Sequence, residues 1–338
     1  MNKDVSSYRI LITGATGFIG SALAKFLFQR GFQVRALTRD IRNTQVTRNP
    51  HYEWIEGDLT DSDQIQALCH DIDIIFHVAG FAHDLKNGDK KFQEMHKTVN
   101  EEASIRLAEL AVKAGVKRFI FFSSIKATKQ SDACTDESWV AEPEDAYGKA
   151  KRGAEKAIES IAAHSDMAVV VFRLSLVYGP GWKGNLNAML KAIDRNRMPP
   201  IPNCNNKKSM ISLYDVCEAS WLAATRDLKP FQLFILTDGV QYSTYDIYAF
   251  MRNALGKKPP RVGIPFTLWR LAGKLGDMLE KLFKKSLPIN SDKIHKLFGN
   301  SEYRSLYSQN ELGFIPNHRF SDVLPEIIAH YREEQHDC

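Results

Sequence analysis

The sequence predicts an α/β protein built on a doubly wound parallel sheet, with a smaller, mostly helical C-terminal part. Three observations predict it. Short apolar runs alternate with amphipathic segments over roughly the first half of the chain. The first run passes into a helix through glycines at three-residue spacing, Gly14, Gly17 and Gly20. With 338 residues, 44% of them hydrophobic, the chain is long and apolar enough to bury a sizeable core.

The elements follow in order. Ile10, Leu11 and Ile12 are a brief apolar run, suited to a strand buried on both faces. Gly14 permits a tight turn, Gly17 lets backbone approach a pyrophosphate, and Gly20 lets the next helix pack closely on the strand. That helix presents free N–H groups to phosphate. A glycine turn can also be a plain connection, but its place between the first strand and the first helix favours a dinucleotide site of the Rossmann kind. Gly14, Thr16, Gly17, Phe18 and Ile19 are the expected cofactor contacts.

The segment 31–37 gives a helix stop and a second strand. An acidic residue at its end would bind the ribose hydroxyl of NAD, whereas an arginine suits the 2′-phosphate of NADP. Thr38 and Arg39 stand there, so NADP is expected, with NAD as the alternative if Asp40 takes the ribose. A third strand runs into Asp58 and Leu59, where Asp58 either meets the adenine amine or caps a turn. The fourth, Ile72–Val78, ends at Ala79 and Gly80, where backbone must pass the cofactor. His77 lies on this apolar strand and reads as a packed core histidine. Asn100 is expected to open a helix over 101–115, before a fifth strand that ends at Ser123 and Ser124. Ligands of such a sheet gather at the carboxyl ends of its strands.

Tyr147 and Lys151 are four apart at the head of a helix expected to reach about Ala163, so they share one face. Such a pair is often a surface contact. Beside a cofactor turn and a strand-end serine it becomes an acid–base set. Tyr147 moves a proton at a carbinol oxygen, Ser124 holds that oxygen, and Lys151 favours the phenolate and reaches the nicotinamide ribose. With the positive nicotinamide ring also favouring the phenolate, this reading expects the phenol pKa to fall from its usual ~10.

A sixth strand, 168–174, enters a glycine-rich loop that ends at Asn185. We place a dinucleotide-binding domain at 1–177 and a substrate-binding part at 178–338, with about 208–240 returning to the sheet. The helix 266–285 is apolar on one side and basic on the other. The expectation is that it packs on the substrate-binding part, although a membrane-surface helix shares the pattern.

The net charge of +5 fits an anionic ligand and does not by itself indicate nucleic acid. The five cysteines are scattered and form no CxxC pair, which argues against a zinc site or disulfide framework and for a reducing compartment. With no 18-residue apolar run and no signal-peptide core at the N-terminus, a soluble cytoplasmic protein is expected, without metal or stable membrane insertion.

The motifs TGATGFIG, HVAG, FFSSIK, YGKAK and VYGPG, in this order, resemble the extended short-chain dehydrogenase/reductase superfamily and its NAD-dependent epimerase/dehydratase family. The resemblance covers nearly the whole chain. It implies Tyr147 as acid/base, Lys151 as its partner, Ser124 as ligand of the substrate oxygen, and a UDP-sugar held by the C-terminal part. Asn185, Lys208 and Asp215 fall in the family's substrate-side pattern, Lys208 standing where arginine is usual. A helix-pair homodimer is also compatible with the resemblance. Classical UDP-galactose epimerases carry an acidic residue at Thr38 and an asparagine at Leu176. FFSSIK and VYGPGWKGN look closer to bacterial UDP-N-acetylhexosamine 4-keto reductases and epimerases of surface-polysaccharide pathways. The expected activity is NADPH-dependent reduction of a UDP-4-keto-6-deoxy-N-acetylhexosamine, with a UDP-sugar 4-epimerase holding NAD as the alternative. A non-catalytic NADP-binding sensor is the rival from another class, and the presence of both Tyr147 and Lys151 speaks against it.

Overall fold

The structure is a computed structural model and describes residues 8–43, 52–81, 90–283, 287 and 289–336. Its first half alternates strand and helix: β1 (Arg9–Thr13), α1 (Phe18–Gln29), β2 (Gln33–Thr38), β3 (Tyr52–Glu56), α2 (Ser62–Leu68) and β4 (Ile74–His77). There follow α3 (Lys90–Met95), a π-helical stretch (His96–Glu102), α4 (Ala103–Lys113), β5 (Arg118–Ser124), α5 (Ala146–Ala163) and β6 (Ala168–Leu174). Beyond these come β7 (Leu176–Tyr178), α6 (Asn185–Asp194), β8 (Lys208–Ser212), α7 (Leu213–Thr225), β9 (Phe231–Leu236) and β10 (Gln241–Tyr242). The chain closes with α8 (Thr244–Ala254), α9 (Phe266–Phe283), α10 (Ser291–Phe298) and α11 (Phe320–His336).

Seven strands form one parallel sheet in the order β3-β2-β1-β4-β5-β6-β9. The order reverses between β1 and β4, and this switch point is where the carboxyl ends diverge to leave a crevice. Both faces of the sheet are covered. Ile10 and Ile12 pack with α1 and α7 on one side, and Leu11 with α4 and α5 on the other. This double burial explains why the strands read as continuous apolar runs rather than alternating ones.

Of the stretch 208–240, β9 is an edge of the large sheet, whereas β8 pairs with β7 and β10 in a separate three-stranded sheet. A second core lies in the C-terminal part, where Tyr178, Leu190, Met210, Tyr248 and Phe320 meet. Buried hydrogen bonds tie the turn after β9 and the segment before α11 to it. The Tyr178 and Tyr242 hydroxyls both donate to Asp238 Oδ2, at 2.9 and 2.8 Å, and Asp215 accepts from the His318 backbone N–H at 3.1 Å. Asp215 therefore clasps the chain here from the first turn of α7.

One boundary differs from the sequence reading. Asn100 does not open a helix but sits inside a helical run that begins at Lys90. Asparagine is a common N-cap, so propensity suggested a start. Its side chain instead serves a tertiary partner, described below. Of the basic and apolar stretch 266–285, residues 284 and 285 lie outside the described residues.

Candidate active site

The turn after β1 has Gly14 at φ +69°, and a Cβ there would stand 2.8 Å from the Ala79 backbone. Conformation and close approach thus both require glycine, and the ends of β1 and β4 lie in contact. The Gly17 N–H donates to the Gly14 carbonyl at 2.9 Å, and α1 begins at Phe18 without a side-chain cap. Its first N–H groups are left for an anion. Thr16 is exposed on the rim, Phe18 leans on the C-terminal core, and Ile19 leans on the sheet core. Glycine at the turn, an uncapped helix start and backbone at the crevice floor fit a dinucleotide.

Arg39 is exposed immediately past β2. The Asp40 carboxylate is turned to Arg42, accepting from its backbone N–H at 2.9 Å and its Nε at 3.1 Å. Asp58 Oδ1 accepts from the Thr60 backbone N–H at 2.8 Å and the Thr60 hydroxyl at 2.7 Å. These bonds hold its carboxyl below the usual range, and the Arg39 charge adds to them. Arg39 and Asp58 therefore sense one another at the ends of β2 and β3. Leu59 is buried beside them.

Ala79 and Gly80 leave β4 at the centre of the crevice. The Ala79 N–H donates to Thr13 Oγ1 at 3.2 Å. His77 is buried, with Nδ1 2.7 Å from Thr13 Oγ1 and Nε2 2.8 Å from Ser104 Oγ. Burial pushes its pKa down to about 3, which keeps the ring neutral. It is the packed core histidine that the sequence suggests.

Asp145 caps α5, accepting from the Gly148 N–H at 2.7 Å. Gly148 has no room for a side chain, since a Cβ would fall 2.2 Å from the Lys126 carbonyl oxygen. The first turn of α5 therefore presses on the turn that follows Ser124. Ser124 Oγ accepts from the Lys126 N–H at 3.2 Å and lies within hydrogen-bonding reach of Tyr147. One helical turn further on, Lys151 Nζ is 2.8 Å from the Phe122 carbonyl oxygen and 4.6 Å from the centre of the Phe121 ring. A Cβ at Gly80 would be 3.5 Å from that ammonium. Ser124, Tyr147, Lys151 and Gly80 thus share one spot at the carboxyl edge of the sheet.

Burial shapes the ionisation of this cluster. Burial pushes the Tyr147 phenol up to about 12, against which the Ser124 hydrogen bond works. Burial also pushes Lys151 down to about 8, while the nearby Glu155 carboxylate supports its charge. Within the protein alone desolvation outweighs the hydrogen bond; the fall expected for the phenol is tied to a bound nicotinamide ring as well as to Lys151.

Sequence reasoning missed two supports of the cluster. Asn100 Oδ1 accepts from the Phe81 N–H at 2.7 Å, and its Nδ2 donates to the Phe81 carbonyl at 2.8 Å. It thereby fixes the chain just past Gly80. His96, one turn earlier, stands edge-on to Tyr147 with ring centres 5.6 Å apart. The signal was the spacing of two polar side chains four apart in the π-helical stretch, a feature frequent at functional sites. The second support is Glu155. It receives Arg173 Nη2 at 2.6 Å and the Ser123 hydroxyl at 2.5 Å, all three buried. An acid four residues after Lys151, on a face otherwise lined by Ala150, Ala154 and Ile158, was its visible mark.

The two substrate-side residues stand on other elements. Asn185 is exposed at the first position of α6. Lys208 opens β8 and donates to the Lys296 carbonyl at 2.9 Å, and burial pushes its pKa down to about 8.

Comparison with known proteins places the chain in a family and its fold beside solved structures. The model of the NAD dependent epimerase/dehydratase family matches residues 10–233. A UDP-glucose 4-epimerase of Vibrio cholerae is 28% identical over 91% of this chain and 90% of its own length. An N-acetyl-alpha-D-glucosaminyl-diphospho-ditrans,octacis-undecaprenol 4-epimerase of Escherichia coli O157:H7 is 22% identical over 95% and 94%. The solved structure of MoeE5 in complex with UDP-glucuronic acid and NAD superposes with a TM-score of 0.76 at 22% identity, covering 96% of this chain and 99% of that one.

Proposed function

The chain belongs to the NAD-dependent epimerase/dehydratase family, and from that membership we propose that it moves a hydride and a proton at C4 of a nucleotide sugar. The direction we propose is NADPH-dependent reduction of a UDP-4-keto-6-deoxy-N-acetylhexosamine, a precursor of surface polysaccharide. The observation that carries it is Ser124 within hydrogen-bonding reach of Tyr147, with Lys151 one turn away against Gly80 and bonded to the Phe122 carbonyl.

A nicotinamide bound in the crevice supplies the hydride. The residues do the rest. Ser124 donates to the sugar O4 and steadies its growing negative charge. Tyr147 passes its phenolic proton to O4. The phenol carries that proton at neutral pH, and a bound nicotinamide and Lys151 would have to offset the burial that holds it up to about 12. The phenolate left behind is stabilised by the Lys151 ammonium. Lys208 faces the diphosphate in this reading, and an anion beside it raises its depressed pKa again. Asn185 hydrogen-bonds the same ligand. The exposed Arg39, with Asp40 already engaged by Arg42, supports NADP rather than NAD.

A UDP-sugar 4-epimerase with retained NAD is the second reading. It is favoured by the Vibrio cholerae relative named as such over nine-tenths of the chain, and by the NAD in the MoeE5 complex. One experiment separates the two. Enzyme, 4-keto sugar nucleotide and NADPH are mixed and the reduced cofactor is followed by absorbance. Stoichiometric NADPH loss with a 4-hydroxy product is expected. Interconversion of UDP-GlcNAc and UDP-GalNAc without net cofactor consumption rejects the reductase in favour of the epimerase.

A further inference from the structure

The helix α9 has three sides of different character. Its inner side packs on α10. Trp269, Gly273 and Gly276 are buried there, and the Trp269 and Phe298 ring centres are 5.5 Å apart. Both acidic residues of the helix turn the same way. Asp277 accepts from the Ser291 N–H at 3.0 Å, and Glu280 from the Leu287 N–H at 2.6 Å and the Asn290 side chain at 3.1 Å. The outer side is an apolar ridge of Leu268, Leu271, Leu275, Met278 and Leu282, each at least 50% exposed. The spacing of three and four keeps these side chains in one line, roughly 21 Å long at 1.5 Å per residue. Arg270, Lys274 and Lys281 are exposed along one edge of that line.

The helix packs on the C-terminal part, as the sequence suggests, but through Trp269, Gly273 and Gly276 rather than through this ridge. The fold leaves it open, because the two helical glycines bring the opposite face onto α10. An apolar strip of this length on a folded chain marks an interaction surface. Among the described residues no helix is long and apolar enough to cross a membrane.

The charge pattern selects the occupant. Against a ridge-to-ridge second copy, Arg270, Lys274 and Lys281 would meet a helix whose two acids, Asp277 and Glu280, already serve Ser291, Leu287 and Asn290. An anionic lipid surface answers both features. Leucines and methionine enter the acyl boundary, while arginine and lysines meet phosphate. We propose that α9 is a peripheral docking helix, which lies in the plane of an anionic lipid bilayer with its ridge immersed. This surface is separate from the Tyr147 cluster and does not depend on which sugar is the substrate.

The test uses the full chain with sedimentable vesicles of phosphatidylcholine alone or with phosphatidylglycerol. Co-sedimentation is expected with the anionic vesicles and should weaken as salt rises. The variant L271E/L275E changes exposed side chains only, and its folding is checked by thermal unfolding. It should lower the partition coefficient about tenfold or more, and K274E/K281E by a similar factor. A wild-type chain that stays in the supernatant with both vesicles overturns the proposal. So does L271E/L275E binding like wild type. A dimer in light scattering that L271E/L275E converts to monomer, without vesicle binding, assigns the ridge to a second copy instead. Should L271E/L275E fail to fold, K274E/K281E with the salt series decides: undiminished binding overturns the proposal.

Discussion

The Lys151 ammonium donates to the Phe122 carbonyl oxygen at 2.8 Å, so the helix that carries Tyr147 is tied to the strand that ends in Ser124. The bond aligns the cluster, yet it keeps a charge in a place that disfavours charge. Lys151 drops from 10.5 to about 8 on burial. At 1.36 kcal/mol per unit, this is a cost of about 3 kcal/mol in the protonated state.

That cost has a sign that can be checked. The unfolded chain binds the proton more tightly than the folded one between pH 8 and pH 10.5. Stability therefore rises with pH through this window, and the full penalty applies below it. Lys151→Met removes the charge and keeps the volume. Urea unfolding of the cofactor-free variant should show a gain of up to about 3 kcal/mol at pH 7, shrinking towards pH 10, while activity is lost. A destabilised variant at pH 7 would show that the lysine is a net structural support.

Tyr147→Phe deletes one hydroxyl from a half-buried ring that packs edge-on to His96. The ring contact survives, so folding and cofactor binding should be close to wild type. Turnover should fall by about 10²–10⁴, the range for a positioned proton donor. Activity within a few-fold of wild type, measured as NADPH consumption, would take Tyr147 out of the chemistry.

Arg39→Ala should weaken NADPH binding by about 1–3 kcal/mol and leave NADH nearly unchanged, since a charge-assisted contact to the 2′-phosphate is what it loses. Fluorescence titration of both cofactors measures this. Equal losses for the two, or tighter NADH binding by the wild type, would give the ribose to Asp40.

Much of this site is visible in the chain itself. The strand-end glycine turn and the Tyr147–Lys151 spacing are local patterns, and local patterns survive folding. What needed the fold was whatever depends on partners distant in sequence. Asn100 was read as a cap because its partner Phe81 lies 19 residues earlier in the chain. The direction of the Tyr147 shift depends on how deeply the phenol is buried, which spacing does not encode. The periodicity of 266–283 shows that α9 has an apolar face but not whether anything covers it.

Glu155 belongs to the same class, since its partner Arg173 is 18 residues away on β6. Arg173 Nη2 lies 2.6 Å from Glu155 Oε2, both side chains are 2% exposed, and the Ser123 hydroxyl donates to the other carboxylate oxygen. Removing one partner strands a buried charge, so Glu155→Leu alone should cost about 3–5 kcal/mol in urea unfolding. Replacing both, as in Glu155→Leu with Arg173→Met, removes the orphaned guanidinium of Arg173 and should recover part of that loss; Arg152, whose Nη1 lies 3.1 Å from Glu155 Oε2, and Lys151 still lose the carboxylate. The catalytic readout should not recover with it. The Glu155 carboxylate supports the charge of Lys151, so the double variant should titrate Lys151 at lower pH and lose activity on the alkaline side earlier than wild type. A double variant with restored stability and an unchanged pH–rate profile would assign Glu155 to the fold alone.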